Sequence, residues 1–376
     1  MMNSSVKYDV IIVGGGLAGL TCALHLSKHD IRILLIEKYE YPHHKVCGEY
    51  VSNEVVPYLR SLGIDPFTLG AVEISKFEIS DKDGKKVVSE LPLGGFGISR
   101  YAFDQLLYEK VKDSIDVVFE TAENITFNDQ LFTVRTIDNK SHQSNFLVGA
   151  FGKRSLLDIV LNRKFIRLKS TWLGVKAHYE YNIPSDTVAL HNFDGGYCGL
   201  SKVETGAVNA CYLTTFKSFR RFGSIDTFQR EVLSQNPHLY DFFKNAKLLF
   251  EKPLTISQIS FEKKKPVEAH IFMIGDSAGL IHPLCGNGMA MAIHSAKLFS
   301  ELFLKTFHQS DFQRERLEVM YTRKWEVTFT RRLRAGRLIQ NFLLHPATTN
   351  IGLKLARAFP SILPGIIKKT HGDLFI

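Results

Sequence analysis

Cysteine is scarce in this chain: the 376 residues hold five, Cys22, Cys47, Cys198, Cys211 and Cys285, with no paired spacing. Scattered thiols exclude a disulfide framework and a cysteine-rich zinc module, and they fit a reducing compartment. No run of eighteen apolar residues occurs, so a membrane-spanning helix is not expected. No apolar stretch precedes Asp9, so a secretory signal is not expected either and a cytoplasmic location is the default. Repeats, a Walker loop, a serine or cysteine nucleophile elbow and zinc-type His/Cys spacing are also missing. The loop pair His43-His44 reads as solvated.

Two glycine-rich segments far apart are present instead, Val13-Gly14-Gly15-Gly16-Leu17-Ala18-Gly19 and Ile274-Gly275-Asp276-Ser277-Ala278-Gly279. The first lies between an apolar strand, Tyr8 to Val13, and a helix, Leu17 to Lys28. In that setting Gly14 permits the tight turn, Gly16 lets backbone approach a pyrophosphate, and Gly19 lets helix and strand pack closely. The anion would sit at the helix N-terminus. A second strand, Ile31 to Ile36, ends in Glu37, placed to accept hydrogen bonds from ribose hydroxyls.

The net charge of +9 is concentrated at the end of the chain. From Arg331 onward eight Lys or Arg (Arg331, Arg332, Arg334, Arg337, Lys354, Arg357, Lys368, Lys369) face one acid, Asp373, a net +7. Apolar residues run between them, including Leu338, Ile339, Phe342, Leu343, Leu344, Phe359, Ile362, Leu363, Ile366 and Ile367. Two readings follow: a helical layer packed on the core with a solvated basic face, or a segment making peripheral contact with anionic lipid. Nucleic acid is not an expected partner, because no recognition motif accompanies the charge.

Further along, Asn53 to Leu62 reads as a helix and Ala71 to Ile98 as hairpins, with Asp83-Gly84 and Gly94-Gly95 as turn signals. Ser99 caps a striped helix reaching Asp113. Val117 to Phe119, Phe146 to Gly149, Thr171 to Leu213 and His270 to Ile274 read as strands, and the chain beyond Ser310 as mostly helical. Tyr179, Tyr181, Phe193, Tyr197 and Tyr212 are candidates for an apolar substrate wall.

With these motifs the chain resembles, over roughly residues 8 to 305, the FAD-dependent oxidoreductases that include the aromatic-hydroxylase type monooxygenases and the geranylgeranyl reductase and FixC-like branch. The second anchor is Gly275 through Gly288, in which the family's Asp, here Asp276, meets the flavin ribityl chain. Its turn, Pro283 to Gly288, passes the isoalloxazine. Lys45-Val46-Cys47-Gly48-Glu49 is similar to the reductase branch's Cys-Gly segment, which makes Cys47 the catalytic candidate. Ser99-Arg100-Tyr101 is similar to the family's cofactor-reaching arginine. His282 is expected to line the pocket, with proton transfer as its chemical alternative.

The resemblance implies an α/β fold: a Rossmann-like FAD-binding domain (1–70, 99–165 and 266–308), an inserted antiparallel-sheet substrate domain (71–98 and 166–265), and a C-terminal helical region (309–376). It implies FAD held by Gly14, Gly16, Leu17, Ala18, Gly19, Glu37, Lys38, Lys45, Cys47, Gly48, Arg100, Gly275, Asp276, Pro283, Gly286, Asn287 and Gly288, with no metal. The expected substrate is small and hydrophobic, unsaturated or aromatic, with NAD(P)H or a redox partner protein as electron donor. The reaction alternatives are reduction, hydroxylation, and electron transfer without a small substrate. Two departures bear on that choice. Phe151 stands where hydroxylases carry an Asp that helps position FAD and the nicotinamide, which tells against direct reduction by NAD(P)H. The run Gly196 to Lys202 lacks the Trp, Phe and Pro of the prenyl-reductase substrate motif, which tells against a strict geranylgeranyl reductase.

Overall fold

A computed structural model describes residues 7–168, 170–307, 309, 313–343, 346–359 and 361–376; Leu344 of the basic tail and the residues before Lys7 lie outside these. Val10, Ile11, Ile12, Leu34 and Leu35 are fully buried. Strands buried on both faces require layers on both sides, the pattern of a parallel sheet.

The first sheet is built on that core. Lys7–Val13 runs parallel to Ile33–Glu37 on one side and to Ser141–Gly149 on the other. Asp116–Phe119 extends it parallel to Ile33–Glu37, and Ile271–Met273 parallel to Ser141–Gly149, with Val267–Glu268 antiparallel at that edge. Ala122–Asn128 and Leu131–Thr136 form a meander on Ser141–Gly149 that the sequence reading missed. The helices Leu17–Leu26, Arg100–Val111 and Gly288–Phe307 pack with this sheet. Ser99 caps the second of these, its Oγ accepting from the Ala102 N–H at 3.0 Å.

The second sheet runs, in spatial order, from Lys247–Leu248 through Trp172–Glu180, Val208–Thr215, Gly196–Lys202, Thr187–Phe193, Val72–Ser80 and Lys86–Gly97 to Tyr50–Ser52. It is antiparallel except where Thr187–Phe193 joins Val72–Ser80 in parallel register. Gly94-Gly95 is not a turn but lies within the strand Lys86–Gly97. A Cβ at Gly95 would lie 2.4 Å from the Tyr50 ring, so glycine is needed there for the close approach of strand Tyr50–Ser52. The helices Ile225–Glu231 and Pro237–Asn245 cover the outer face and were not foreseen. Beyond residue 313 the chain forms Arg314–Leu343, Pro346–Ala358 and Ile362–Thr370, and no helix among the described residues is long and apolar enough to cross a membrane.

Candidate functional site

The first glycine turn is shaped by what its neighbours leave room for. Gly14 has φ +106°, and a Cβ there would lie 2.4 Å from the Ala150 carbonyl oxygen. A Cβ at Gly19 would lie 1.9 Å from the Gly14 carbonyl oxygen, so this glycine serves helix packing and does not face the cavity. Gly16 is different: its missing side chain opens toward Arg100 Nη2 at 3.4 Å and Lys45 Nζ at 4.0 Å. Helix Leu17–Leu26 has no side-chain cap at Gly16, so its first N–H groups also point into this space.

Both cations share one counter-ion. Arg100 grips Asp104 with two hydrogen bonds, 2.8 and 2.7 Å, and Lys45 approaches the same carboxylate at 3.1 Å. Burial alone would raise the Asp104 carboxyl, but Arg100 and Lys45 outweigh it and hold the group below its ordinary range. Two cations against one carboxylate leave a positive excess beside an uncapped helix start, a fit for a pyrophosphate. Glu37 sits across the turn, its Oε2 accepting from the Gly15 N–H at 2.5 Å and its Oε1 from the Tyr39 N–H at 3.3 Å. Leu17, Ala18 and Lys38 line the same cavity.

The second glycine segment meets the first directly. Gly275 has φ +59°, and a Cβ there would lie 2.9 Å from Ala18 Cβ. Arg163, fully buried, clamps the segment from behind: it donates to Asp158 at 2.9 Å, to Glu268 at 2.7 Å and to the Ser277 carbonyl at 3.0 Å. Asp276, Pro283, Gly286 and Gly288 all face the cavity. Asn287 turns away from it: its Nδ2 donates to Glu54 at 3.1 Å and its Oδ1 accepts from Arg332 at 3.4 Å. The same buried Glu54 accepts from Arg332 at 3.1 Å and from the Gly372 N–H, while its carbonyl takes the Phe375 N–H at 3.2 Å. His282 is buried in a box of Trp172, Tyr197 and Phe261 and does not line the cavity. Neither ring nitrogen has a partner, and burial lowers it to about 3, so it is neutral near pH 7.

Between the two segments lies the loop carrying Lys45 to Glu49. Cys47 and Gly48 line the cavity, and their carbonyls accept from Asn209 Nδ2 at 3.2 and 2.9 Å. Lys153 donates to the Val46 carbonyl at 2.9 Å. Glu49, which sequence reasoning passed over, is the anchor. It is fully buried at φ +55°, a left-handed conformation seldom adopted by a glutamate. Its carboxylate accepts from Lys176 Nζ at 2.5 Å, His178 Nε2 at 2.6 Å and the Arg100 N–H at 2.8 Å. Burial raises this carboxyl, but the His178 hydrogen bond and the Lys176 charge outweigh it and lower it overall. His43 and His44 are not solvated. Both are half-buried, and His44 packs against Tyr101, His178 and Phe250.

All of this opens on one cavity of about 1380 Å³. Beyond Cys47 its walls turn apolar: Phe77, Ile79, Leu91, Leu190, Tyr197 and Leu213 from the second sheet, then Leu338, Leu355, Ile362, Leu363 and Ile366 from the C-terminal helices. Of the five aromatics expected in this wall, Tyr197 and Tyr212 are present. Tyr179 and Phe193 belong to the core shared with Phe228 and Phe242, and the Tyr181 hydroxyl donates to Asp241. Phe151 also faces the cavity.

Residues 9–46 match the model of a family described as FAD dependent oxidoreductase. The chain is 23% identical to a digeranylgeranylglycerophospholipid reductase of Methanococcus vannielii, over 85% of this chain and 82% of that protein. Among solved structures it superimposes on the flavin-dependent brominase Bmp2 with a TM-score of 0.80 at 18% identity, covering 99% of this chain and 95% of the other. A geranylgeranyl bacteriochlorophyll reductase-like protein from Thermoplasma acidophilum gives 0.74 at 18% identity, covering 96% of each chain. Identities this low speak for a shared fold. The architecture is that of flavoproteins with FAD as cofactor.

Proposed function

For this chain, an FAD-dependent oxidoreductase, we propose a reductase nearest the geranylgeranyl reductase-like branch, acting on a hydrophobic unsaturated substrate of isoprenoid, polyketide or lipid-like type. The observation that carries this reading is the cavity, whose polar end is built for a dinucleotide and whose remainder is walled by aliphatic and aromatic side chains. The similarity to a reductase of geranylgeranylated phospholipid supports it.

FAD, when bound and reduced by the electron donor, would supply the hydride chemistry for one carbon of a double bond. The protein's part is to hold phosphates at Gly16, Lys45 and Arg100, keep water from the apolar chain, and bring a proton to the other carbon. Cys47 and Tyr197 are the two proton-bearing side chains we assign to that task, since both face the cavity. Burial lifts the Tyr197 phenol well above its ordinary range, so it stays protonated at working pH. Electrons come from NAD(P)H or a redox partner protein, and Phe151 favours the partner.

The rim of the cavity supports a lipid source for the substrate. Leu338 and Ile362 line the cavity yet are 71% and 40% exposed, and Lys369 lines the same cavity. In our reading this rim rests on an anionic lipid surface.

The test is anaerobic: reduce the FAD-loaded protein with dithionite, add a geranylgeranylated lipid, and follow the flavin absorbance. Reoxidation, with a product two hydrogens heavier, is expected, and Cys47→Ser or Tyr197→Phe should slow it without loss of FAD. A flavin that stays reduced with every polyunsaturated lipid overturns the reductase reading, and so does lipid-stimulated NAD(P)H oxidation with oxygen uptake in a parallel aerobic assay, the second outcome in favour of a hydroxylase.

A further inference from the structure

Strand alternation gives the second sheet two working faces. On the strands Val72–Ser80 and Thr187–Phe193, Phe77, Ile79 and Leu190 point into the cavity. Their neighbours in sequence, Glu78, Ser80 and His191, therefore point to the opposite face. There they meet the start of helix Pro237–Asn245, which brings His238.

We propose that Glu78, His191 and His238 form a site for a divalent transition-metal ion, Zn²⁺ being the fitting one, that fixes the outer face of the cavity wall. One ligand atom from each residue lies within 4.8 Å of the others. Closing that triangle around bonds of about 2.0–2.1 Å takes small rotamer movements. The two imidazole rings stack with centroids 4.9 Å apart. Each ring gives one nitrogen to an outer partner, His191 Nδ1 to Ser80 Oγ at 2.9 Å and His238 Nε2 to the Gly84 carbonyl at 2.9 Å. The second nitrogen of each is left for a metal bond, and outer partners of this kind orient metal-binding histidines.

Lys86 pairs with Glu78 at 3.0 Å, but its side chain is 52% exposed and is free to swing into solvent when a cation takes the carboxylate. The three ligands come from separate elements, which is why linear spacing hides them. With three protein ligands, a water completes the tetrahedron.

The experiment titrates Zn²⁺ into chelator-treated, FAD-loaded protein by calorimetry. One ion per chain is expected, with a rise in Tm on binding. His238→Ala and Glu78→Gln should each weaken binding at least tenfold, and Lys86→Met should strengthen it. His44→Ala, in the separate His44, Glu49 and His178 cluster, should leave it unchanged. The flavin spectrum of each variant without Zn²⁺ reports whether it folds, and Glu78→Gln decides the matter if His238→Ala does not. No binding by the wild type, binding that survives both ligand variants, or binding lost in His44→Ala overturns the proposal.

Discussion

Arg100 and Lys45 are unequal partners in the end of the site we assign to phosphate, because the Arg100 side chain is 13% exposed and that of Lys45 is 25% exposed. A charge-assisted hydrogen bond contributes about 1.5–3 kcal/mol, so Arg100→Met is expected to raise the FAD dissociation constant by roughly 10- to 150-fold. Lys45→Met should cost less. Flavin fluorescence on titration with apoprotein measures both, and an Arg100→Met variant with wild-type affinity removes the phosphate assignment. Glu49 presents a different case, since its ion pair with Lys176 has no exposed side. Breaking such a pair from one side costs about 3–5 kcal/mol, whereas replacing both partners by apolar groups is far milder. Glu49→Gln should therefore destabilise the FAD-loaded protein strongly, and adding Lys176→Met should recover most of the loss. Urea denaturation followed by tryptophan fluorescence compares the two, and an additive pair of losses contradicts the coupling.

Elements, rather than single side chains, decide how the cavity is closed. The C-terminal helices wall it, and their last residues are tied to the body through Glu54. Glu54→Gln should loosen that end while leaving both sheets in place. Limited proteolysis ought then to cut after the helix Ile362–Thr370 well before it cuts elsewhere; equal cleavage in wild type and variant argues that the latch bears no load. Much of the arrangement was readable beforehand. The first strand-turn-helix was legible because Gly14, Gly16 and Gly19 each answer a distinct contact, and Ser99 announced its helix by its capping hydroxyl. Gly94-Gly95 misled because close approach of Tyr50 demands the same residue as a turn does. The helices over 225–245 were missed because they are short and their apolar residues are set by packing, Phe228 onto Phe193 and Tyr212 and Phe242 onto Tyr179 and Tyr181. Asn287 sat in a motif but turned outward, since Glu54 and Arg332, distant in sequence, offer its amide a better partner. Glu49 carries no local signal at all: its meaning comes from Lys176 and His178 on a strand more than a hundred residues away.

Taken whole, the molecule is biased toward stability at neutral rather than acid pH. His191, His282 and His294 are each lowered to about 3 by burial, against 6.5 for an ordinary histidine. A group whose folded pKa lies below its unfolded value makes the unfolded chain the better proton binder between the two. Its stabilising share is therefore complete above about pH 6.5 and is lost progressively as pH falls toward 3. Asp104 and Glu49, both lowered in the fold, add a second loss that sets in as pH falls into the ordinary carboxylate range and continues below it. Thermal unfolding between pH 7.5 and 5 should show Tm falling already below about 6.5, and His282→Phe should flatten that limb. A Tm flat down to pH 5 contradicts the neutral-histidine picture. One last property follows from the double duty of Asn287, which belongs to the turn Pro283 to Gly288 on the cavity wall and also to the junction where Glu54 and Arg332 meet Gly372. Loosening Glu54 at one end of that junction is therefore expected to disturb the cavity turn at the other, through the single amide of Asn287 that both share.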